Sequence, residues 1–215
     1  MINVINDLKK LPAFNLNIVS KYFNSYNYAK LFVHRLRKNN TLFEIAHGIY
    51  SFYNDPMTYA TNIYYPSYLS FSSAFQYYGI TTQLPFRIMV ATFKNRSLND
   101  IEFIKISDLY GYKRDRYNGF DIFIAEPEKA VIDSIIKGNT PLDELNNAIK
   151  ICDINKLERY AVRSGKKVSR ITGYLLEMNG IESEILRDFL GNDRNIAYTY
   201  YEVKKNNWMV RQRFQ

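Results

Sequence analysis

The 215-residue chain has very few of the residues that build metal centres and covalent crosslinks. It contains one cysteine, Cys152, and two histidines, His34 and His47. A single cysteine excludes an internal disulfide and a cysteine-rich zinc site. Neither histidine has acids or cysteines at a spacing that indicates metal ligation, so we expect no metal site and no cofactor.

Long apolar segments are also missing. No run approaches the roughly 20 apolar residues that cross a bilayer, and Asn3, Asn6 and Asp7 interrupt the N-terminal segment where a signal peptide would be apolar. Hydrophobic residues make up 47% of the chain and charged residues 23%, which is typical of globular proteins. We therefore expect a cytoplasmic protein without a membrane partner.

Motifs of catalysis are absent as well. The sequence has neither a Walker loop nor a Gly-x-Ser-x-Gly elbow. Asp100, Glu102 and Lys105 resemble part of a nuclease cluster, but on a strand Glu102 and Lys105 project to opposite faces and do not converge on one metal. We expect no catalytic residues here and interpret this segment as an exposed strand edge.

The positive charge is concentrated at the start of the chain. The net charge is +8, and residues 1–54 carry seven Lys and Arg residues against two Asp and Glu. Such an asymmetry favours a nucleic-acid-binding module joined to a more neutral body. A basic but merely solvated surface is the alternative that charge alone leaves open.

Residues 1–54 have the pattern of three helices followed by a hairpin. Apolar residues recur at helical spacing in three short segments, and Asn15 and the Asn24-Ser25 turn are at positions where the second and third helices would begin. Two β-rich runs, 42–46 and 49–52, flank His47-Gly48, which predicts a tight hairpin. This order is that of a winged helix-turn-helix domain.

The third predicted helix has one apolar and one basic side. Ala29, Phe32, Val33 and Leu36 form its apolar stripe. A helix that is apolar on one side and basic on the other suits recognition in the major groove of double-stranded DNA. Together with the helix start and the hairpin turn, the candidate DNA-binding residues are Ser25, Tyr26, Asn27, Lys30, His34, Arg35, Arg37, Lys38 and His47. We assign Lys30, Arg35, Arg37 and Lys38 to phosphates.

The pattern of residues 55–215 predicts a mixed α/β body. We therefore expect the fold class of the whole chain to be α+β. Asp55-Pro56 predicts the beginning of a linker. Pro66 predicts the start of a helix that ends at Gly79. Strand-like runs lie at 86–93, 101–106 and 120–124, and Glu126-Pro127 begins a helix in which Lys129 and Asp133 are four residues apart.

After residue 137 the pattern is mainly helical. Four amphipathic helices are predicted over 138–191, with Asp153 as a cap and Gly180 and Gly191 as stops. Residues 163–170 predict a basic loop, either a solvated connector or a contact to phosphate. Two strand-like runs on either side of residues 204–207 predict a terminal β-hairpin over 195–214, with Trp208 as an anchor. Cys152 lies on an apolar stripe, so we expect it in the core.

In order and spacing, several segments resemble the AbiEi family, the antitoxins of abortive-infection type IV toxin–antitoxin systems. The resemblance covers roughly residues 1–137 and is carried by Gly48-Ile49-Tyr50, Pro66-Ser67-Tyr68-Leu69-Ser70, Ser73-Ala74, Gly79, Val90-Ala91-Thr92, Gly111-Tyr112, Ala125-Glu126-Pro127-Glu128-Lys129-Ala130 and Asp133. It implies a winged-helix repressor that binds its own operator. It also implies that the body counteracts an AbiEii-like nucleotidyltransferase toxin without requiring a stable complex.

The residues leave two other functions open. One is a winged-helix regulator whose body serves for dimerisation or ligand sensing. The other is a nucleic-acid enzyme. A homodimer on an inverted repeat is compatible with the domain pattern. The Tyr- and Asn-rich third helix departs from the family, so the resemblance does not extend to the operator sequence.

Overall fold

The computed structural model describes residues 2–81, 86–138 and 140–213. It shows a mixed α+β protein. The helices of the described residues are α1 (Ile2–Leu8), α2 (Leu16–Ser20), α3 (Tyr26–Lys38), α4 (Pro56–Tyr59), α5 (Phe71–Tyr77), α6 (Pro127–Lys137), α7 (Leu142–Ile149), α8 (Ile154–Arg163), α9 (Lys166–Met178) and α10 (Glu184–Leu190). The strands are β1 (Phe14–Asn15), β2 (Phe43–Ala46), β3 (Ile49–Ser51), β4 (Ser67–Leu69), β5 (Ile88–Thr92), β6 (Arg96–Leu98), β7 (Ile101–Lys105), β8 (Tyr112–Tyr117), β9 (Phe120–Ala125), β10 (Ala197–Thr199) and β11 (Val210–Gln212).

The chain divides into two compact units. The first comprises residues 1–69, 86–107 and 114–123, and the second comprises residues 70–85, 108–113 and 124–215. The first unit holds the N-terminal helices with a three-stranded sheet of order β1-β3-β2, and most of a six-stranded sheet of order β6-β7-β5-β4-β9-β8. The second unit holds the helices from α5 onward.

The N-terminal elements form as their apolar spacing predicts. The Asn15 side chain accepts a hydrogen bond from the Ile18 amide at 3.1 Å, which confirms the predicted cap of α2. β2 and β3 pair antiparallel around His47-Gly48, and Gly48 has a φ of +71°, a conformation that glycine adopts without strain. Three helices and a hairpin are therefore present in the predicted order.

The six-stranded sheet contains elements that the sequence analysis located only in part. β5 pairs in parallel with β7 and antiparallel with β4, and β6 pairs with the other side of β7. The interpretation of residues 101–105 as an exposed edge is wrong, because β7 lies between two strands. Asn118-Gly119 separates β8 from β9, and both residues have positive φ, a conformation that suits a tight turn between two strands.

The predicted helix start at Pro66 is also wrong. Residues 67–69 form β4 and pair with residues 90–92 of β5, so the backbone there is extended, and the helix begins only at Phe71. Sheet pairing outweighs the local preference for a helix, whereas Gly79, with a φ of +68°, does end this helix as predicted. Asp55 begins a short helix instead of a linker, since its side chain caps the Met57 amide at 3.0 Å.

Helix α6 is the centre of the second unit. It begins with proline, ends at Gly138 in the left-handed conformation, and packs against α5, α7, α8 and α9. The four helices predicted after it are present as α7 to α10. Asp153 caps α8 through the Lys156 amide at 3.2 Å, and Gly180 and Gly191 follow the ends of α9 and α10.

Two secondary-structure predictions for the C-terminal third are wrong. Residues 163–170 do not form a basic loop, because α8 ends at Arg163 and α9 begins at Lys166. Lysine and arginine are good helix formers, and Arg170 is buried and ion-paired with Asp193. The terminal strands β10 and β11 pair in parallel, so they do not form the predicted hairpin.

The parallel arrangement has a physical cause in the segment that joins these two strands. Trp208 is buried as predicted, and its carbonyl accepts a hydrogen bond from Arg170 at 3.3 Å. The Lys204 amide donates to the Tyr174 hydroxyl at 3.1 Å. These contacts hold residues 204–208 against α9, so the chain does not turn back at this point as a hairpin would require.

Candidate nucleic-acid interface

Helix α3 is held by one apolar side. Ala29, Phe32 and Val33 are buried and Leu36 is half-buried, as the predicted stripe requires. They belong to a cluster whose other buried members are Leu8, Phe14, Val19, Leu42 and Tyr50. Because this cluster includes residues of α1, α2 and the hairpin, the side of α3 that faces solvent is fixed by the packing of the opposite side.

All nine predicted DNA-binding residues are exposed. Ser25 is the N-cap residue of α3, His47 lies in the hairpin turn, and the other seven are on α3. Asn27, His34 and Lys38 are separated by seven and four residues, so they lie along the side opposite the apolar stripe. The structure thus brings most of the predicted residues onto one helix surface with no acid on the helix itself.

Two contacts order one flank of this surface. The Lys30 ammonium lies 5.1 Å from the centre of the Tyr26 ring, within the range of a cation–π interaction. Arg37 forms an ion pair of 2.7 Å with Glu44 of β2. Arg37, which we predicted to contact phosphate, therefore already has a protein partner.

Glu44 is a residue of this region that the sequence analysis missed. One carboxylate oxygen pairs with Arg37 and the other accepts a hydrogen bond of 3.1 Å from the Gly48 amide. A single half-buried acid thus connects the last turn of α3 to the hairpin turn. Its signal in the sequence was a carboxylate inside an otherwise apolar strand close to a basic helix.

Leu31 and Tyr28 were missed for a different reason. Both are exposed on α3, and Leu31 follows Asn27 by four residues, so it shares the side opposite the stripe. Leu31 lies outside the predicted apolar stripe, and neither residue carries a charge that would indicate a contact to DNA. An exposed leucine among polar residues provides an apolar contact of the kind that a thymine methyl group accepts in the major groove.

The second unit contains a buried polar cluster formed by Ser70, which directly precedes α5, and by Lys129 and Asp133 of α6. Lys129 and Asp133 form the predicted i, i+4 pair at 2.6 Å, but both side chains are at most 1% exposed. The Ser70 hydroxyl donates to Asp133 at 2.8 Å, and the Lys129 ammonium lies 4.2 Å from the centre of the Tyr110 ring. The cluster is closed to solvent, and we assign it to the packing of α5 against α6.

A second polar group lies at the start of α6. Glu126 accepts hydrogen bonds of 2.7 Å from Lys156 and from the Tyr160 hydroxyl. Burial alone would raise the pKa of Glu126, but the two hydrogen bonds outweigh burial and hold its pKa below the usual range. Burial and the neighbouring carboxylate raise the pKa of Tyr160.

The described residues contain no cluster of three or more His, Cys, Asp or Glu side chains placed to bind a metal ion. Cys152 is half-buried, not in the core as predicted, and its thiol lies 3.2 Å from the Ala148 carbonyl. Burial raises the pKa of this thiol, which disfavours the reactive thiolate.

No family model matches the chain, and no curated protein matches its sequence. Within the described ranges, no helix has both the length and the apolar character needed to cross a membrane.

Proposed function

We propose that the chain is a DNA-binding antitoxin that represses its own promoter, with residues 1–54 acting as a winged helix-turn-helix domain. The observation that carries the proposal is the exposed surface of α3, on which seven predicted contact residues lie opposite a buried stripe. A basic helix of 13 residues held from one side has the dimensions and charge of a major-groove recognition helix.

The contacts divide by chemistry. Lys30, Arg35 and Lys38 are exposed cations suited to phosphates, which supply affinity without sequence information. Tyr26, Asn27 and His34 carry the donors, acceptors and rings that read base edges, and Asn27 is the residue type that pairs in bidentate fashion with adenine. Through Glu44, Arg37 instead fixes the hairpin relative to α3.

The antitoxin part of the proposal rests on the AbiEi resemblance. In this reading the chain counteracts an AbiEii-like nucleotidyltransferase toxin, has no catalytic activity of its own, and binds neither metal nor cofactor. It acts in the cytoplasm, and a homodimer places two copies of α3 on an inverted repeat. A stable complex with the toxin is not required.

The DNA-binding part is tested with a fragment from upstream of the chain's own gene. Wild-type protein is expected to bind this fragment more tightly than an unrelated one, by the factor of about 10³ or more that separates specific from non-specific binding. Asn27→Ala removes a base contact and should weaken specific binding by about 1–3 kcal/mol with little effect on the unrelated fragment. Equal binding of both fragments by the wild type would contradict a repressor function.

The antitoxin part requires a genetic experiment. The gene adjacent to this one is expressed with and without the chain, and growth is measured. The proposal predicts that the neighbour is toxic and that co-expression restores growth. If the adjacent gene is toxic and co-expression of the chain does not restore growth, the chain is a regulator without antitoxin activity.

A further inference from the structure

The first unit has a cleft that is lined by none of the residues assigned to promoter binding. Its volume is about 250 Å³. One wall is formed by residues 64–66, which precede β4, and the other by residues 92–96, which connect β5 to β6. The Thr92 hydroxyl donates to the Pro66 carbonyl at 3.0 Å, so the two walls are tied at the base of the cleft.

The walls of the cleft carry aromatic rings that face solvent. Tyr65 is 81% exposed and Phe93 is 48% exposed, whereas most aromatic residues of the adjoining sheet are at least half-buried. Tyr64 packs its ring against Phe103 with 4.9 Å between ring centres, which supports this wall from inside the unit. The Tyr65 ring lies 6.3 Å from the Phe123 ring in a tilted arrangement, so stacking on Tyr65 would use the large part of the ring that stays exposed.

The charge of the cleft has one sign. Lys94 and Arg96 are exposed and line it, and no acid is among the described residues that line it. The Arg96 guanidinium carbon lies 4.5 Å from the centre of the Tyr64 ring, so a planar cation is already held over an aromatic face. A ligand that fits this site combines a flat ring with negative charge.

We propose that this cleft binds single-stranded nucleic acid, with one base stacked on Tyr65 and Phe93 and the adjacent phosphates on Lys94 and Arg96. Base–aromatic stacking combined with cations along the backbone is how proteins hold single strands with little sequence preference. Duplex DNA does not satisfy the site, because the faces of its bases are covered by their neighbours.

The size of the cleft favours a strand over a free nucleotide. Sites that enclose a whole small molecule have volumes of about 300–1,000 Å³, and this cleft is smaller. A cleft of this size has room for about one base, and Lys94, which lines it, supplies a cation for an adjacent phosphate. One stacked base contributes little affinity by itself. We therefore expect tight binding only when the base belongs to a nucleic-acid strand that makes further contacts.

The proposal is tested by fluorescence anisotropy with labelled 12-nucleotide oligo(dT) and oligo(U). Tyr65→Ala and Phe93→Ala are each expected to weaken binding about 5- to 150-fold, as removal of stacking on one base does. Tyr65→Phe and Phe93→Tyr keep the ring and should bind like the wild type. Both positions are exposed in the folded chain, so a thermal melt is expected to show unchanged folding.

Charge is tested separately. Lys94→Ala should reduce the slope of log K against log salt concentration by about 0.7, the value for one phosphate on a single strand. Lys150→Ala, an exposed lysine of the second unit that belongs to neither proposed surface, is the matched control and should leave this slope unchanged. If Tyr65→Ala and Phe93→Ala retain wild-type binding of the single strands while Lys30→Ala/Lys38→Ala on α3 loses it, the proposal is overturned.

A competition experiment tests whether the cleft binds a strand or a free nucleotide. Free UMP and TMP, at the same nucleotide concentration as an unlabelled 12-mer, should displace the labelled strand at least tenfold less effectively. Equal displacement would show that the ligand is a free nucleotide, which contradicts the proposal. Wild-type binding no tighter than that of the Tyr65→Ala/Phe93→Ala double variant would contradict it as well.

Discussion

Lys129 and Asp133 show how burial changes the meaning of a short sequence pattern. Their spacing predicts an ordinary i, i+4 ion pair, worth about 0.2–0.5 kcal/mol on a helix surface. In the structure both are closed to solvent, and Ser70 and Tyr110 complete their environment. A buried pair depends on both partners, since either charge left alone has no solvent to stabilise it.

We predict that Lys129→Met destabilises the chain by about 3–5 kcal/mol, because it leaves Asp133 buried without its cation. Ser70→Ala should cost about 1–3 kcal/mol because one buried hydrogen bond is removed. Urea denaturation followed by circular dichroism measures both. The double variant Lys129→Met/Asp133→Leu removes both charges and should be more stable than Lys129→Met. A double variant that is less stable than Lys129→Met would contradict this account of the pair.

Gly173 is a second residue whose role depends on packing. It lies inside α9, where alanine is preferred over glycine by about 1 kcal/mol. A Cβ at this position, however, would lie 2.3 Å from the Trp208 ring. The glycine is therefore required by the indole that anchors the C-terminal segment.

We expect Gly173→Ala to destabilise the chain by about 1–3 kcal/mol despite its better helix propensity, because the core is overpacked. The same substitution in a Trp208→Phe background should cost less, since the clashing atoms belong to the larger ring of the indole. Thermal denaturation of the four proteins of this cycle gives the interaction energy. A stabilising effect in the wild-type background would show that propensity outweighs the contact.

Among the secondary-structure elements, helices with a clear apolar stripe and the local hairpin of β2 and β3 could be predicted, whereas strand pairings between distant segments could not. The stripe of α3 and the caps at Asn15 and Asp153 depend on neighbours within a few residues, so the local sequence is sufficient. β4 and the parallel pair β10–β11 depend on partners far along the chain. In the candidate interface, seven exposed residues of α3 were predicted, whereas Glu44 was not, because its role requires the contact between α3 and the hairpin.

The junction between α6 and α8 gives a pH-dependent prediction. Glu126 has a lowered pKa in the folded chain, so its contribution to stability is complete above the ordinary carboxyl pKa, near 4.5. That contribution is lost as the pH falls below 4.5 through the lowered value. Glu126→Gln should therefore lower the melting temperature by about 2–4 °C at pH 7, for a destabilisation of about 1 kcal/mol.

The difference between Glu126→Gln and the wild type should shrink as the pH falls below 4.5. Melting curves from pH 7 down to pH 3 check this. Glu177→Gln, an exposed glutamate of α9, is the matched control and should follow the wild type at every pH. A difference between Glu126→Gln and the wild type that stays constant over this range would exclude the ionised carboxylate as its source.

For the whole molecule, the distribution of charge separates its surfaces. Residues 1–54 carry much of the net charge of +8, and α3 presents Lys30, Arg35 and Lys38 to solvent. The cations of the second unit are in part committed to its own acids, as in the pairs Arg170–Asp193 and Lys156–Glu126. The proposed promoter surface is therefore a basic surface of the first unit.

The central claim, that α3 binds duplex DNA through its cations, is tested most directly by the salt dependence of promoter binding. We predict that log K for the upstream fragment falls linearly with log salt concentration. In Lys30→Ala/Lys38→Ala the slope should be smaller by about 1.8, or about 0.9 for each phosphate that the variant no longer neutralises. Lys150→Ala, an exposed lysine of the second unit, should leave the slope unchanged. A flat salt response, or the same slope in the α3 variant and the wild type, would contradict the account.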